Sequence, residues 1–166
     1  MTSSFYPPHH VGGSCIFVKN LAEELARLGH DVHVFYSLDA YMVKNKDYDA
    51  RREAKEDAKH GIHTHIIKTP LNSSAYAAYV LGNSSLVVRR FEKLVRYVRP
   101  DVVHHHNISL LGYGILVKQD KYVNLYTAHD HWLICPQNDL IRNESRMCNS
   151  SSCFTCQVAQ GRPPQV

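Results

Sequence analysis

The chain has 166 residues, 44% hydrophobic and 20% charged, with a formal net charge of +4. That is the size of one domain, large enough to bury a core without disulfides. The mild positive charge permits contact with anionic ligands or a lipid surface without requiring either. No apolar run approaches the ~20 residues of a membrane span, and the opening MTSSFYPPHH lacks the basic and apolar regions of a secretory signal. Cytoplasmic residence is the expectation, with the inner face of the membrane as a variant of it. In that compartment, clustered cysteines read as thiols or metal ligands before disulfides. The sequence contains no internal repeat and no low-complexity tract.

In chain order, SCIFVKNLAEELARLGHDVHVFYS is the clearest unit. Ile16, Val18, Leu21, Leu25 and Leu28 recur at helical spacing, Ser14 is placed to cap the start, and Gly29 ends the helix. DVHVFYS then alternates as a buried strand does. Residues 44–60 are dense in charge and predict a loop plus a solvated helix. GIHTHIIK is the next strand. Residues 73–99 are helical, broken near Gly82, with an apolar stripe of Val87, Phe91, Leu94, Val95 and Val98. Arg89, Arg90, Lys93, Arg96 and Arg99 decorate the rest of that helix, and Pro100 stops it. DVVHHH is a strand, SLLGYGILVKQ a short helix, and YVNLYTA a further strand. Ahead of them all, TSSF reads as the tail of a first strand whose start lies outside the chain.

Strands alternating with helices predict an α/β fold, a Rossmann-like doubly wound parallel sheet. Ligands of such sheets bind at the carboxyl ends of the strands. That rule selects the loop before Ser14, the His104–Asn107 turn, and His129–Asp130. In the first, FYPPHHVGGS, Gly12 and Gly13 let a ligand approach the backbone at a helix start that favours an anion. A simple chain reversal explains the same glycines. The loop is neither a dinucleotide fingerprint nor a Walker loop.

Three motifs now stand in register: YPPHHVGGS with LAEELARLGHDVHVF, RPDVVHHHN, and TAHDHWLICP. Together they resemble the N-terminal half of family 4 retaining glycosyltransferases over nearly the whole chain. The likeness is greatest to members carrying His-Asp-aromatic-Trp and Cys-Pro ahead of a cysteine cluster. It implies a GT-B fold of two Rossmann-like domains with the active site in the cleft between them. It also implies a nucleotide-sugar donor held chiefly by the C-terminal domain, and a glycan or lipid-linked acceptor held by the N-terminal one. The C-terminal half, with its paired-glutamate donor motif, is not in this sequence. Residues 1–134 are then the acceptor-side domain and 135–166 a cysteine-rich loop leading on, and full catalysis by these residues alone is not expected.

By the same resemblance His129 faces the donor sugar. Its imidazole can hydrogen-bond a hydroxyl or stabilise developing charge; alternatively it ties down the turn. Asp130 either accepts from an acceptor hydroxyl or caps a following helix. Trp132 reads as core packing. In HHH at 104–106, strand alternation puts His104 and His106 on one face and His105 on the other. Consecutive strand residues cannot all converge on one ion, and His106 and Asn107 should reach the cleft. His30, His33, His63 and His65 read as half-buried strand or turn residues.

Cys15 reads as a small core residue. Cys135, Cys148, Cys153 and Cys156 fit a structural zinc site closed by a C-x2-C pair, with disulfides, an iron–sulfur cluster and free thiols as alternatives. The rival functions are a non-catalytic zinc-binding interaction module and another Rossmann-type nucleotide-binding protein. The carboxylate pair of a retaining glycosidase is not visible. The basic residues lie on one helix without interleaved aromatics, which argues against nucleic acid. An ordinary solvated helix face explains them, with a peripheral contact with anionic lipid as the alternative.

Overall fold

A computed structural model describes residues 1–45, 58–59, 61–116, 121–142, 146–149, 152–159 and 161. Its strands are β1 (Thr2–Ser3), β2 (Val32–Ser37), β3 (Ala58–Lys59), β4 (Ile62–Ile67), β5 (Val102–His105) and β6 (Val123–Tyr126). They form one sheet in the order β3-β4-β2-β1-β5-β6. Five are parallel; β3 alone runs antiparallel, against β4. The helices are α1 (Gly13–Arg27), α2 (Leu38–Asn45), α3 (Ser73–Leu81), α4 (Ser85–Val98) and α5 (Cys153–Ala159). A two-stranded hairpin, β7 (Ile141–Arg142) with β8 (Arg146–Met147), stands apart from the main sheet. The expected parallel α/β sheet is therefore present, and β1 takes its place at the centre, between β2 and β5.

Each face of the sheet carries its own core. Val18 and Ala22 of α1 meet Val32, Val34, Tyr36 and Ile66 on one side. Val87 and Phe91 of α4 meet Phe35, Ile67 and Val103 on the other. Strand alternation makes this division: Val34 and Phe35 are neighbours in sequence and face opposite layers. Helices on both faces are what a parallel sheet needs, since crossovers must pass over it.

Several local expectations are corrected. Gly12, not Ser14, occupies the cap of α1; its φ of 80° is one that glycine adopts without steric cost, and no side chain caps the helix. The buried stripe of α1 is Cys15, Val18 and Ala22, while Ile16 and Leu28 are exposed. Of the short helix expected after β5, the described residues hold a 3-10 turn, Tyr113–Leu116. Gly112 starts it at φ 90°, where an added Cβ would lie 2.7 Å from Asn83 Cα. The break near Gly82 is real: it ends α3 in the left-handed conformation, and α4 begins at Ser85. The helix expected within 44–60 lies mostly outside the described residues. The parts that are described hold the end of α2, a helix the periodicity did not announce, and the strand β3.

Asp39, fully buried in the first turn of α2, is the polar anchor of this layer. Its carboxylate accepts from Thr69 N–H at 3.0 and 3.1 Å, from Thr69 Oγ1, and from Ser74 Oγ at 2.6 Å. These bonds tie α2 to the start of α3 beyond the carboxyl end of β4. Among the described residues no helix is long and apolar enough to cross a membrane.

Candidate functional site

The adjacent parallel strands β5 and β6 deliver His106 and His129 to the same edge. Alternation acts on HHH as expected. His104 and His106 share the α1 side, their rings 4.1 Å apart. His105 turns to the other layer, where Nδ1 meets Thr2 Oγ1 at 2.8 Å and Nε2 meets Asn124 Oδ1 at 3.2 Å. An amide oxygen only accepts, so Nε2–H donates to Asn124 and Nδ1 accepts from the Thr2 hydroxyl. His104 Nε2 bonds Thr127 Oγ1 at 2.8 Å. His106 Nδ1 bonds His129 Nε2 at 3.1 Å.

The next residues lock the two loops together. Asn107 Nδ2 donates to Asp130 Oδ2 at 3.1 Å, and Trp132 N–H donates to Asp130 Oδ1 at 3.0 Å. Asp130 thus holds a turn; no helix follows it among residues 131–140. Trp132 packs, half-buried, against the core beneath α4. Asn107 Oδ1 accepts from the Ser109 hydroxyl at 2.9 Å.

The start of α1 completes the edge. Phe17 lies edge-on to His129, ring centroids 5.3 Å apart, and 6.0 Å from His106. A Cβ on Gly12 or Gly13 would meet nothing within 4 Å, so the space above this backbone is open. Gly12, Gly13 and Ser14 therefore begin the same helix whose Phe17 touches His129.

The family is decided by sequence comparison. The family model of Glycosyltransferase Family 4 matches residues 11–157, most of the chain. The chain belongs to glycosyltransferase family 4. A relative in Klebsiella pneumoniae, described as an uncharacterized 42.6 kDa protein in cps region, is 26% identical over 159 residues. That match takes in 89% of this chain and 40% of the relative, so the chain spans well under half of the relative's length. No solved structure matches significantly.

Burial sets the electrostatics of the family 4 edge. Burial first, and to a lesser degree the neighbouring histidines and the N-terminal amine, pushes the His106 pKa down to about 3. His105 is pushed down to about 4, again by burial first. His104 is lowered in the same way. The core imidazoles are therefore neutral at physiological pH. Tyr126 is raised, by burial and then by the nearby Asp130 charge. His106 Nε2 is fully buried and has no hydrogen-bond partner. An imidazole nitrogen is less costly there as an unprotonated acceptor than as an unpaired N–H donor. The His106 proton then sits on Nδ1 and is donated to His129 Nε2, leaving Nδ1–H as the His129 donor.

Cys135, Cys148, Cys153 and Cys156 line one cavity, together with Gln137, Leu140 and Gln157. Cys135 is buried, Cys156 half-buried, and Cys148 and Cys153 exposed; none is in a disulfide. Gln137 Nε2 lies 3.6 Å from Cys156 Sγ. No three of these sulfurs come within 4.8 Å of one another, a spacing met among the described residues only by Asp31, His33 and His63. Cys15 is buried in α1, its thiol donating to Gly12 O at 2.9 Å. His30 is exposed rather than half-buried. Sequence reasoning missed Phe17, which belongs to no motif, and Asp39, whose partners lie 30 and 35 residues away.

Proposed function

We propose that this family 4 chain is the acceptor-side half of a retaining glycosyltransferase. The enzyme would move a hexosyl group from a nucleotide sugar to a glycan or lipid-linked acceptor, with the donor held chiefly by a second Rossmann-like domain. The observation that carries this reading is the His106–His129 pair at the carboxyl ends of β5 and β6, beside the open Gly12–Gly13 backbone. His106 acts as the positioning residue: neutral and buried, it holds His129 with an outward donor. His129 Nδ1–H then serves a donor-sugar hydroxyl or the charge that develops as the glycosidic bond breaks. Asp130 keeps lone pairs beyond its bonds to Asn107 and Trp132, so it can also accept from an acceptor hydroxyl. The first-turn N–H groups of α1 favour a negative group at Gly13 and Ser14. The relative in a cps region supports a role in polysaccharide biosynthesis.

The test is sugar transfer by the protein that carries both halves. His129→Ala should lower kcat by roughly 100-fold or more, the scale of one lost oxyanion-type donor, while stability falls by no more than the about 1–3 kcal/mol of the His106 Nδ1–H left without its acceptor. Transfer at the wild-type rate would refute the assignment.

The cysteine cavity fits a structural zinc site. Its four thiols come from one short segment, and two of them, Cys153 and Cys156, sit one turn apart on α5. Zinc would draw the sulfurs together and fill all four positions, leaving no water to activate. The exposed Arg89, Arg90, Lys93 and Arg96 on α4 support peripheral contact with an anionic membrane surface.

A further inference from the structure

At the opposite edge of the sheet, the starts of β2 and β4 gather three more imidazoles. His33 and His63 are direct partners across the parallel ladder. Their rings stack at 4.6 Å with an interplanar angle of 14°, and the His65 ring lies parallel to that of His33, at 7° with centroids 5.1 Å apart. Asp31 lies just ahead of β2 and places its carboxylate between two ring nitrogens. Oδ1 is 3.2 Å from His63 Nε2, and Oδ2 is 3.4 Å from His33 Nε2. The backbone fixes this corner, because Val32 N–H donates to Gly61 O at 2.9 Å and so aligns the two strand starts.

A plain ion pair explains the cluster poorly. A charge-assisted N–H···O bond closes to about 2.7–2.9 Å, and both separations exceed that. Each is instead near the about 3.3 Å between two ligand atoms bound about 2.0 Å from one ion, with one carboxylate oxygen facing each imidazole. One donor atom from each of Asp31, His33 and His63 can be chosen so that all three lie within 4.8 Å. The other nitrogen of His33 is already engaged: Nδ1 and His65 Nε2 are 2.8 Å apart. Ligation through His33 Nε2 requires the proton on Nδ1, and His65 is placed to accept it. A second residue that orients the ring and sets its tautomer is the usual support of a ligating histidine.

We propose that Asp31, His33 and His63 form a binding site for one divalent transition-metal ion of the zinc type, with His65 as the residue that positions His33. Two imidazoles and one carboxylate select such an ion over magnesium or calcium, which prefer oxygen ligands. The side chains of Asp31 and His63 are 72% and 41% exposed, so the ion enters directly from solvent and its remaining positions fall to water. This site is separate from the His129 edge and from the cysteine cavity, and owes nothing to the reading of either. Its effect is to pin the starts of β2 and β4 to each other.

The experiment is a zinc titration of the metal-stripped chain, followed by the ring 15N signals of histidine. The expected result is that one equivalent of Zn2+ beyond any the cysteines take up shifts the Nε2 signals of His33 and His63. Asp31→Asn and His63→Gln should each weaken this binding by more than about tenfold while leaving the metal-free urea midpoint in place. His65→Phe should weaken it by about tenfold, and His65→Gln, which restores an acceptor for His33 Nδ1–H, should recover most of the loss. Zinc taken up by the cysteines alone, with unmoved imidazole signals, would overturn the proposal. So would an affinity at the imidazoles that is unchanged in Asp31→Asn.

Discussion

Mild acid should destabilise this domain, and the two histidines buried in mid-sheet set a minimum for the effect. His105 and His106 hold pKa values of about 4 and about 3, against 6.5 for a solvated imidazole. Both folded values lie below the unfolded one, so between them the unfolded chain binds more protons. The stability they contribute is fully present above pH 6.5 and is lost as pH falls from there toward the folded values. Each group contributes about 1.4 kcal/mol per pH unit, so the fall from 6.5 to 5 costs about 2 kcal/mol per histidine and about 4 for the pair. At pH 5 both groups are still neutral in the fold, so the sum depends little on where the folded values lie. His33, His104 and the Met1 amine are also lowered, burial being the leading cause for each, and act in the same direction. Against a typical total of roughly 5–15 kcal/mol, such a loss is large. Urea unfolding at pH 7, 6 and 5, at fixed ionic strength and with chelator present, measures it. His105→Gln removes one titrating group and should shrink the pH 7 to pH 5 loss by about 2 kcal/mol, whatever it does to stability at pH 7. A wild-type loss below about 1 kcal/mol, or an equal loss in the variant, would refute the reasoning.

Asp39→Ala should cost about 3–5 kcal/mol in urea unfolding, because it strands the Thr69 N–H and the Thr69 and Ser74 hydroxyls without their buried acceptor. Elemental analysis of the reduced protein should find zinc that Cys153→Ser removes from the cysteine cavity, with lower stability but an intact main sheet; four freely titrating thiols would end that idea. If α4 meets lipid, flotation at low salt should recover the chain with anionic vesicles and not with neutral ones, and an Arg89→Gln, Arg90→Gln pair should weaken recovery by about 1 kcal/mol per charge.

What the sequence made legible was whatever one element determines by itself. The α1–β2 unit, the strands β4, β5 and β6, and the break at Gly82 each follow from a local period or a single residue's φ. α2 was not legible, because it starts directly at the end of β2 with no turn residue between them. Its key group, Asp39, acts through partners 30 and 35 sequence positions away. The cap of α1 was misplaced by two residues because Ser14 is a good cap by type, while the chain turns at Gly12 by conformation. The His33–His63–His65 cluster was hidden for a related reason. Each histidine alone is an ordinary half-buried strand residue, and only the β2–β4 register makes them neighbours.

The three consecutive histidines show how the sheet turns one residue type into three roles. His104 bonds Thr127 on β6's exit, His105 bonds Thr2 on β1 and Asn124 on β6 in the other layer, and His106 holds His129. The backbone differs by one position each time, and the side-chain direction alternates with it. A one-residue slip of β5 would exchange the layers, sending His106 toward α4 and breaking its bond to His129. The register is held by core packing and backbone bonds rather than by that side-chain bond. Val103 packs under Phe91 and Val87 on the α4 side, while His106 N–H donates to Thr2 O at 3.0 Å and Thr127 N–H to His105 O at 2.9 Å. The geometry of the candidate site is thus fixed from below by the core, which is why changes at His129 and changes in the core should be separable by experiment.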